Sequence, residues 1–159
     1  MKAKIDKILG YFLVVLMAAM TLDVLWGVLT RYVVGSQASW SEELARFLLI
    51  WIGILGAAYA AGQRMHLAID LLQPSLPLAN QKQLSHFINW LIIFFVFTVM
   101  IIGGFRLIYI TNTLGQLSPA LRIPMSVIYS VVPLSGIIII YYKILELIQP
   151  VVPGIGKQK

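Results

Sequence analysis

The chain has 159 residues, 60% of them hydrophobic and only 11% charged, a balance that no water-soluble domain of this size hides inside one core. The net charge of +6 comes from Lys and Arg scattered at the ends of apolar runs, with no basic face of interleaved aromatics, which excludes nucleic acid as the partner. The absence of cysteine excludes disulfides, thiolate metal sites and Cys nucleophiles.

Lys2, Lys4 and Lys7 precede an apolar run, as in a secretory signal, but the run is too long for one. From Ile8 to Thr30 the only charge is Asp23, so an uncleaved first transmembrane helix is expected at about 8–34. A second follows at about 40–62, opened by Ser39 with Glu42 three residues later as a capping box. A third is expected at about 81–111 and a fourth at about 124–147, each exceeding the roughly 20 residues that cross about 30 Å of hydrocarbon.

Gly35-Ser36-Gln37, Gln73-Pro74-Ser75-Leu76-Pro77 and Gly115-Gln116-Leu117-Ser118-Pro119 connect the spans with turn chemistry that belongs at membrane surfaces. Part of the segment 64–82 is expected to lie flat in the interface. One side collects Lys2, Lys4, Lys7, Arg64, Lys82, Lys143, Lys157 and Lys159, the other Arg31, Arg46, Arg106 and Arg122. Eight against four puts both termini in the cytoplasm. Trp40, Tyr141 and Tyr142 suit the interfacial aromatic belt. With no repeat and no long linker, residues 1–159 form one all-α, four-helix transmembrane domain.

Asp23 is the sharpest anomaly, an acid expected near the membrane middle, where insertion costs about 2.5–3.5 kcal/mol. It reads either as a proton or ion site or as a structural group, paired with Arg46, meeting a partner's polar group, or neutral. The chain offers no second acid at that depth to build a coupling site.

Glu42, Glu43 and Arg46 suit the positive end of the second helix and an i, i+4 pair. Adjacent carboxylates point about 100° apart, and neither a nucleophile nor a metal ligand accompanies them, so they are not read as general acid and base. His66 and His86 invite a haem reading, but both fall near the cytoplasmic ends of their helices rather than across the bundle interior. Neither an enzyme nor a cofactor is expected. Gly53, Gly56, Ala57, Ala60 and Ala61 form a small-residue set that marks a packing face, toward this chain or another.

The residues from Arg31 to Asp70 carry a resemblance: Arg31-Tyr32-Val33, Trp40-Ser41-Glu42-Glu43-Leu44-Ala45-Arg46, Trp51, Gly56-Ala57-Ala58 and Arg64-Met65-His66-Leu67-Ala68-Ile69-Asp70. This pattern resembles the small, DctQ-type membrane subunit of tripartite ATP-independent periplasmic (TRAP) transporters. Ile123-Pro124, Tyr129 and Pro133-Leu134-Ser135-Gly136 look like that family's last helix.

The resemblance implies a multi-pass subunit of the bacterial inner membrane. Such a subunit braces a large membrane subunit and helps dock a periplasmic substrate-binding protein during sodium-driven uptake of an organic anion, a carboxylate or sugar acid. In that family the large subunit carries the substrate and sodium sites. By resemblance, Trp40, Glu42, Glu43 and Arg46 are candidates for partner contact. Arg64, His66 and Asp70 shape the end of the second helix and the loop after it; with Asp23 and Arg31 they are the candidate structural polar groups. Asp23 has no clear counterpart in the family pattern, and the competing expectation is a self-sufficient, proton-coupled four-helix transporter that uses it. The accessory reading fits the chain, because secondary transporters build a midplane site from repeated halves and broken helices, and neither is visible in the sequence.

Overall fold

The computed structural model describes residues 2–33, 35–36, 38–63 and 78–148. Four helical spans run through them: α1 (Lys2–Val33), α2 (Ser39–Gly62), a third span and a fourth. The third joins α3 (Leu78–Phe95), a π-helical segment (Val96–Ile102) and α4 (Gly103–Thr113). The fourth joins α5 (Met125–Tyr129) and α6 (Val131–Ile148). All four are long and apolar enough to cross a bilayer, and the described residues form no strand beyond one isolated bridge. The expected four spans are therefore present, with the first and third starting several residues earlier than their apolar runs.

α1 packs against α2, α2 against α6, and α6 against the π segment. Two apolar clusters hold this arrangement. Leu9, Leu55 and Val131 join the first two spans to the fourth, while Ala58, Ala61, Val96 and Ile139 join the second, third and fourth. Elsewhere the helices expose Leu, Ile, Phe and Val around most of their circumference, as lipid rather than water as the surrounding solvent requires.

Close backbone approach is set by three glycines, and all three lie outside the set expected to do this. A Cβ at Gly62 would fall 2.6 Å from the Tyr142 ring, one at Gly104 2.8 Å from Pro133 Cδ, and one at Gly136 3.1 Å from Met100 Cβ. Gly53 and Gly56 meet nothing within 4 Å, so the small-residue set of α2 is divided: Ala61 turns into the bundle beside Ala58, which was not in the set, and those glycines turn away from it.

The irregularities of the third and fourth spans match each other. In the π segment the Gly103 N–H reaches back to the carbonyls of Met100 and Thr98, and the Thr98 hydroxyl donates to the Phe94 carbonyl at 2.9 Å. The fourth span breaks at Ser130, just before Pro133. Proline carries no N–H for the carbonyl four residues earlier, here Tyr129, and a turn at that point removes the conflict. The single helix expected at 124–147 is thus two helices, with Gly104 seated on Pro133 and Gly136 on the π segment.

The capping box at the start of α2 does not form. Ala38, with φ −67° and ψ 117°, occupies the N-cap without a side-chain bond, and its carbonyl accepts from the Ser41 N–H at 3.1 Å. Ser39 is already inside the helix, so its hydroxyl is one position too late to cap.

Candidate functional site

Of the residues singled out by the sequence, Asp23, Arg31, Trp40, Glu42, Glu43 and Arg46 lie where α1 ends, α2 begins and the 114–124 loop joins the third span to the fourth. The α1–α2 register follows from three contacts: Leu9 packs with Leu55, Gly10 lies beside Tyr59, and the Ser41 hydroxyl donates to the Asp23 carbonyl at 3.0 Å. Residues 24–33 of α1 therefore run past the start of α2, by about 14 Å at 1.5 Å per residue. Trp26, Leu29 and Tyr32 are exposed on this projection, and Arg31 is exposed in its last turn.

That register also moves Asp23. It lies level with the first turn of α2, whereas counting from Lys7 to Arg31 had put it near the membrane middle. Its side chain is 7% exposed, and neither carboxyl oxygen has a hydrogen-bond partner among the described residues. The expected pairing with Arg46 is absent because Arg46 turns to Glu42 on its own helix, at 3.4 Å. The Ser41 hydroxyl donates to the Asp23 backbone carbonyl rather than to its carboxyl.

Glu42 and Glu43 are neighbours with opposite employment, as the roughly 100° step between helical positions requires. Glu42 and Arg46 are an exposed i, i+4 pair, about two-thirds accessible on each side. Glu43 points toward the loop, where its Oε2 accepts from the backbone N–H groups of Ala120 and Leu121, both at 2.8 Å. Glu43, a candidate for partner contact, thus holds the chain's own loop. Trp40 stays 42% exposed beside it.

The loop is built to be held. Leu117 and Pro124 form an antiparallel bridge, the Ser118 N–H donates to the Ile123 carbonyl at 2.9 Å, and the Ile123 N–H donates to Ser118 Oγ at 3.2 Å. Gly115 takes φ 59° at one bend, where glycine has no steric penalty. Arg122 takes φ 52° at the other, a conformation costing an L-residue about 1–2 kcal/mol, so the surrounding bonds have something to hold against. Leu114, Leu117 and the Arg122 side chain are exposed on this platform. Ser118-Pro119 signals a turn, but no sequence pattern joins Ala120 to Glu43, 77 residues earlier.

At the opposite end two further polar contacts went unread in the sequence. Tyr142, expected as an interfacial anchor, is 1% exposed, and its hydroxyl donates to Asp6 Oδ1 at 2.5 Å. Lys143 is wholly buried, its ammonium 2.8 Å from Glu146 Oε2. Arg64, His66 and Asp70 lie outside the described residues, as does most of the segment expected to lie in the interface; His86 is exposed on α3.

Four helices long and apolar enough to cross a bilayer define a polytopic membrane protein. Residues 20–152 match the family model of the DctQ component of tripartite ATP-independent periplasmic transporters, and the chain belongs to that family, as a multi-pass protein of the inner membrane. It is 27% identical over 147 residues to a TRAP transporter small permease protein of Haemophilus influenzae, covering 92% of this chain and 89% of that one. It is 27% identical over 136 residues to the ectoine TRAP transporter small permease protein TeaB of Halomonas elongata, covering 86% and 68%. Against the isethionate TRAP transporter permease protein DctMQ of Oleidesulfovibrio alaskensis the identity is 31% over 134 residues, 78% of this chain but only 20% of that longer protein.

Proposed function

We propose that this chain is the accessory small membrane subunit of a TRAP transporter: it braces a large membrane subunit and helps receive a periplasmic binding protein during sodium-driven uptake of an organic anion. The observation that carries the reading is the Glu43 clamp, which fixes the 114–124 loop beside Trp40 and the Glu42–Arg46 pair. A loop held by two charge-assisted bonds is a preorganised contact surface, and preorganisation lowers the ordering cost of docking. Trp40, Glu42 and Arg46 face outward from it as partner contacts, with Glu43 behind them. The fusion implied by the name DctMQ, in which a match to this chain occupies one fifth of a longer permease, supports a large membrane partner.

In this reading both termini are cytoplasmic, as the Lys and Arg distribution requires, so the clamped loop faces the periplasm. The chain is not an enzyme, carries no cofactor, and leaves sodium and substrate to the large subunit. Relatives named for ectoine, isethionate and sialic acid support a small charged organic solute.

A tagged chain extracted in mild detergent is expected to bring down one much larger membrane protein, and vesicles holding the tagged chain alone are expected to accumulate no organic anion on a sodium gradient. Recovery of homo-oligomers only, together with uptake by the chain alone, overturns the proposal. The unpartnered carboxyl of Asp23 is the observation that favours the competing self-sufficient transporter, which requires Asp23→Asn to abolish uptake.

A further inference from the structure

Outside the site just described, one feature of the lipid-facing surface has both a shape and a charge. A groove of ≈180 Å³ runs between α1 and α6, walled by Ile5, Ile8 and Phe12 on one side and Leu134 and Ile138 on the other, with Leu55 in its floor. Its side chains are all apolar. From Ile5 to Phe12 it follows α1 for about 10 Å, parallel to the helix axes and so along the direction in which acyl chains lie.

An extended alkyl chain lies along a groove of this length, and the charge at its end decides between occupants. The mouth of the groove lies at the N-terminal end of α1. On a helical wheel Lys2 and Lys4 fall about 70° and 90° to either side of the groove's centreline there, and Lys7 falls on the far face. The Lys2 ammonium already leans toward the α6 side, 5.9 Å from the Tyr142 ring centroid. The acids nearby are engaged within the chain, Asp6 by the Tyr142 hydroxyl and Glu146 by Lys143. A positive mouth above an apolar slot matches the two halves of an anionic phospholipid.

We propose that the α1–α6 groove binds one acyl chain of an anionic phospholipid from the surrounding leaflet, with the lipid phosphate held between Lys2 and Lys4. The site lies at the end of the bundle away from the clamped loop and rests only on the membrane reading of the chain, so its failure leaves the accessory-subunit proposal standing.

Native mass spectrometry of the full-length protein, with whatever subunit it co-purifies with, tests this by titration with dioleoyl phosphatidylglycerol or dioleoyl phosphatidylcholine after delipidation. One phosphatidylglycerol is expected to be retained in preference to phosphatidylcholine. Lys2→Gln and Lys4→Gln are each expected to lower that preference about fivefold, the effect of one basic side chain at an anionic surface, while Lys7→Gln leaves it unchanged. Ile8→Trp with Leu134→Trp, at the exposed rim, fills the slot and is expected to release both lipids. Equal retention of the two lipids by the unaltered protein, or a preference that survives both glutamines, overturns the proposal. So does a photoreactive side chain at Ile8 that cross-links to protein rather than lipid.

Discussion

At the end where α1 begins, Asp6 receives the Tyr142 hydroxyl and Glu146 receives the buried ammonium of Lys143; at the end where α2 begins, Glu43 is satisfied by two loop amides while Asp23, more deeply buried, has no partner among the described residues. The first end joins α1 to α6 through the Asp6–Tyr142 bond, the kind of contact that fixes how helices sit, with a buried ion pair inside α6 beside it. The second combines a satisfied clamp with an unsatisfied acid. A carboxyl removed from water without compensation costs free energy, so the chain carries at Asp23 a cost that its own described fold does not offset. The comparison separates acids that build the bundle from one that the bundle merely tolerates.

Glu146→Ala presses hardest on this contrast. It strips the 2.8 Å partner from a wholly buried ammonium, and removing one member of a buried pair costs about 3–5 kcal/mol. The thermal midpoint in detergent is expected to fall sharply; an unchanged midpoint would mean that Lys143 is held by its other contacts and that this end is not anchored as described.

Glu43→Ala comes next. It removes two hydrogen bonds to a charged acceptor, worth roughly 1.5–3 kcal/mol each, from a partly exposed loop. Faster amide exchange and proteolysis are expected within 114–124 while the four spans keep their protection. Glu43→Gln retains an acceptor and is expected to fall between the two. Uniform loss of protection across the spans would place Glu43 among the acids that build the bundle.

Asp23→Leu should act in the opposite direction. Replacing an unpartnered buried acid with an apolar group is expected to raise stability by about 1–3 kcal/mol, read as a higher unfolding midpoint. A lower midpoint would reveal a partner for the carboxyl. Greater stability with lost uptake in the assembled transporter would identify the acid as functional. Glu42→Ala is expected to move stability least, by about 0.3–0.5 kcal/mol, because an exposed i, i+4 pair is screened by solvent. Its larger effect is expected on association with the binding protein, measured as a slower on-rate at low salt.

Much of the architecture was legible along the chain. Twenty or more apolar residues between charged ends leave only a spanning helix as a way to satisfy the backbone, so the four spans could be read without knowing their neighbours. Turn chemistry located the first and third connections, and the block from Trp40 to Arg46 located the end of the bundle that holds the clamped loop. Local spacing also gave the Glu42–Arg46 pair, since both residues lie on one helix face.

Residues far apart in sequence were another matter. Whether Glu43 faces a partner or the chain's own loop depends on Ala120 and Leu121, which only the packing of α2 beside the fourth span brings within reach. Asp23 was misplaced because counting along one helix ignores how far that helix slides against its neighbour; the Ser41 bond fixes that slide. Gly53 and Gly56 have the spacing of a packing face, yet Gly62, Gly104 and Gly136 make the close approaches, because the π segment and the break at Ser130 reset which residues meet. Helix formation in a membrane is dictated by the local demand to satisfy each backbone group, and the sequence determined it alone. Register, rotation and the employment of each buried polar group are relations between helices, and only the tertiary structure decided them.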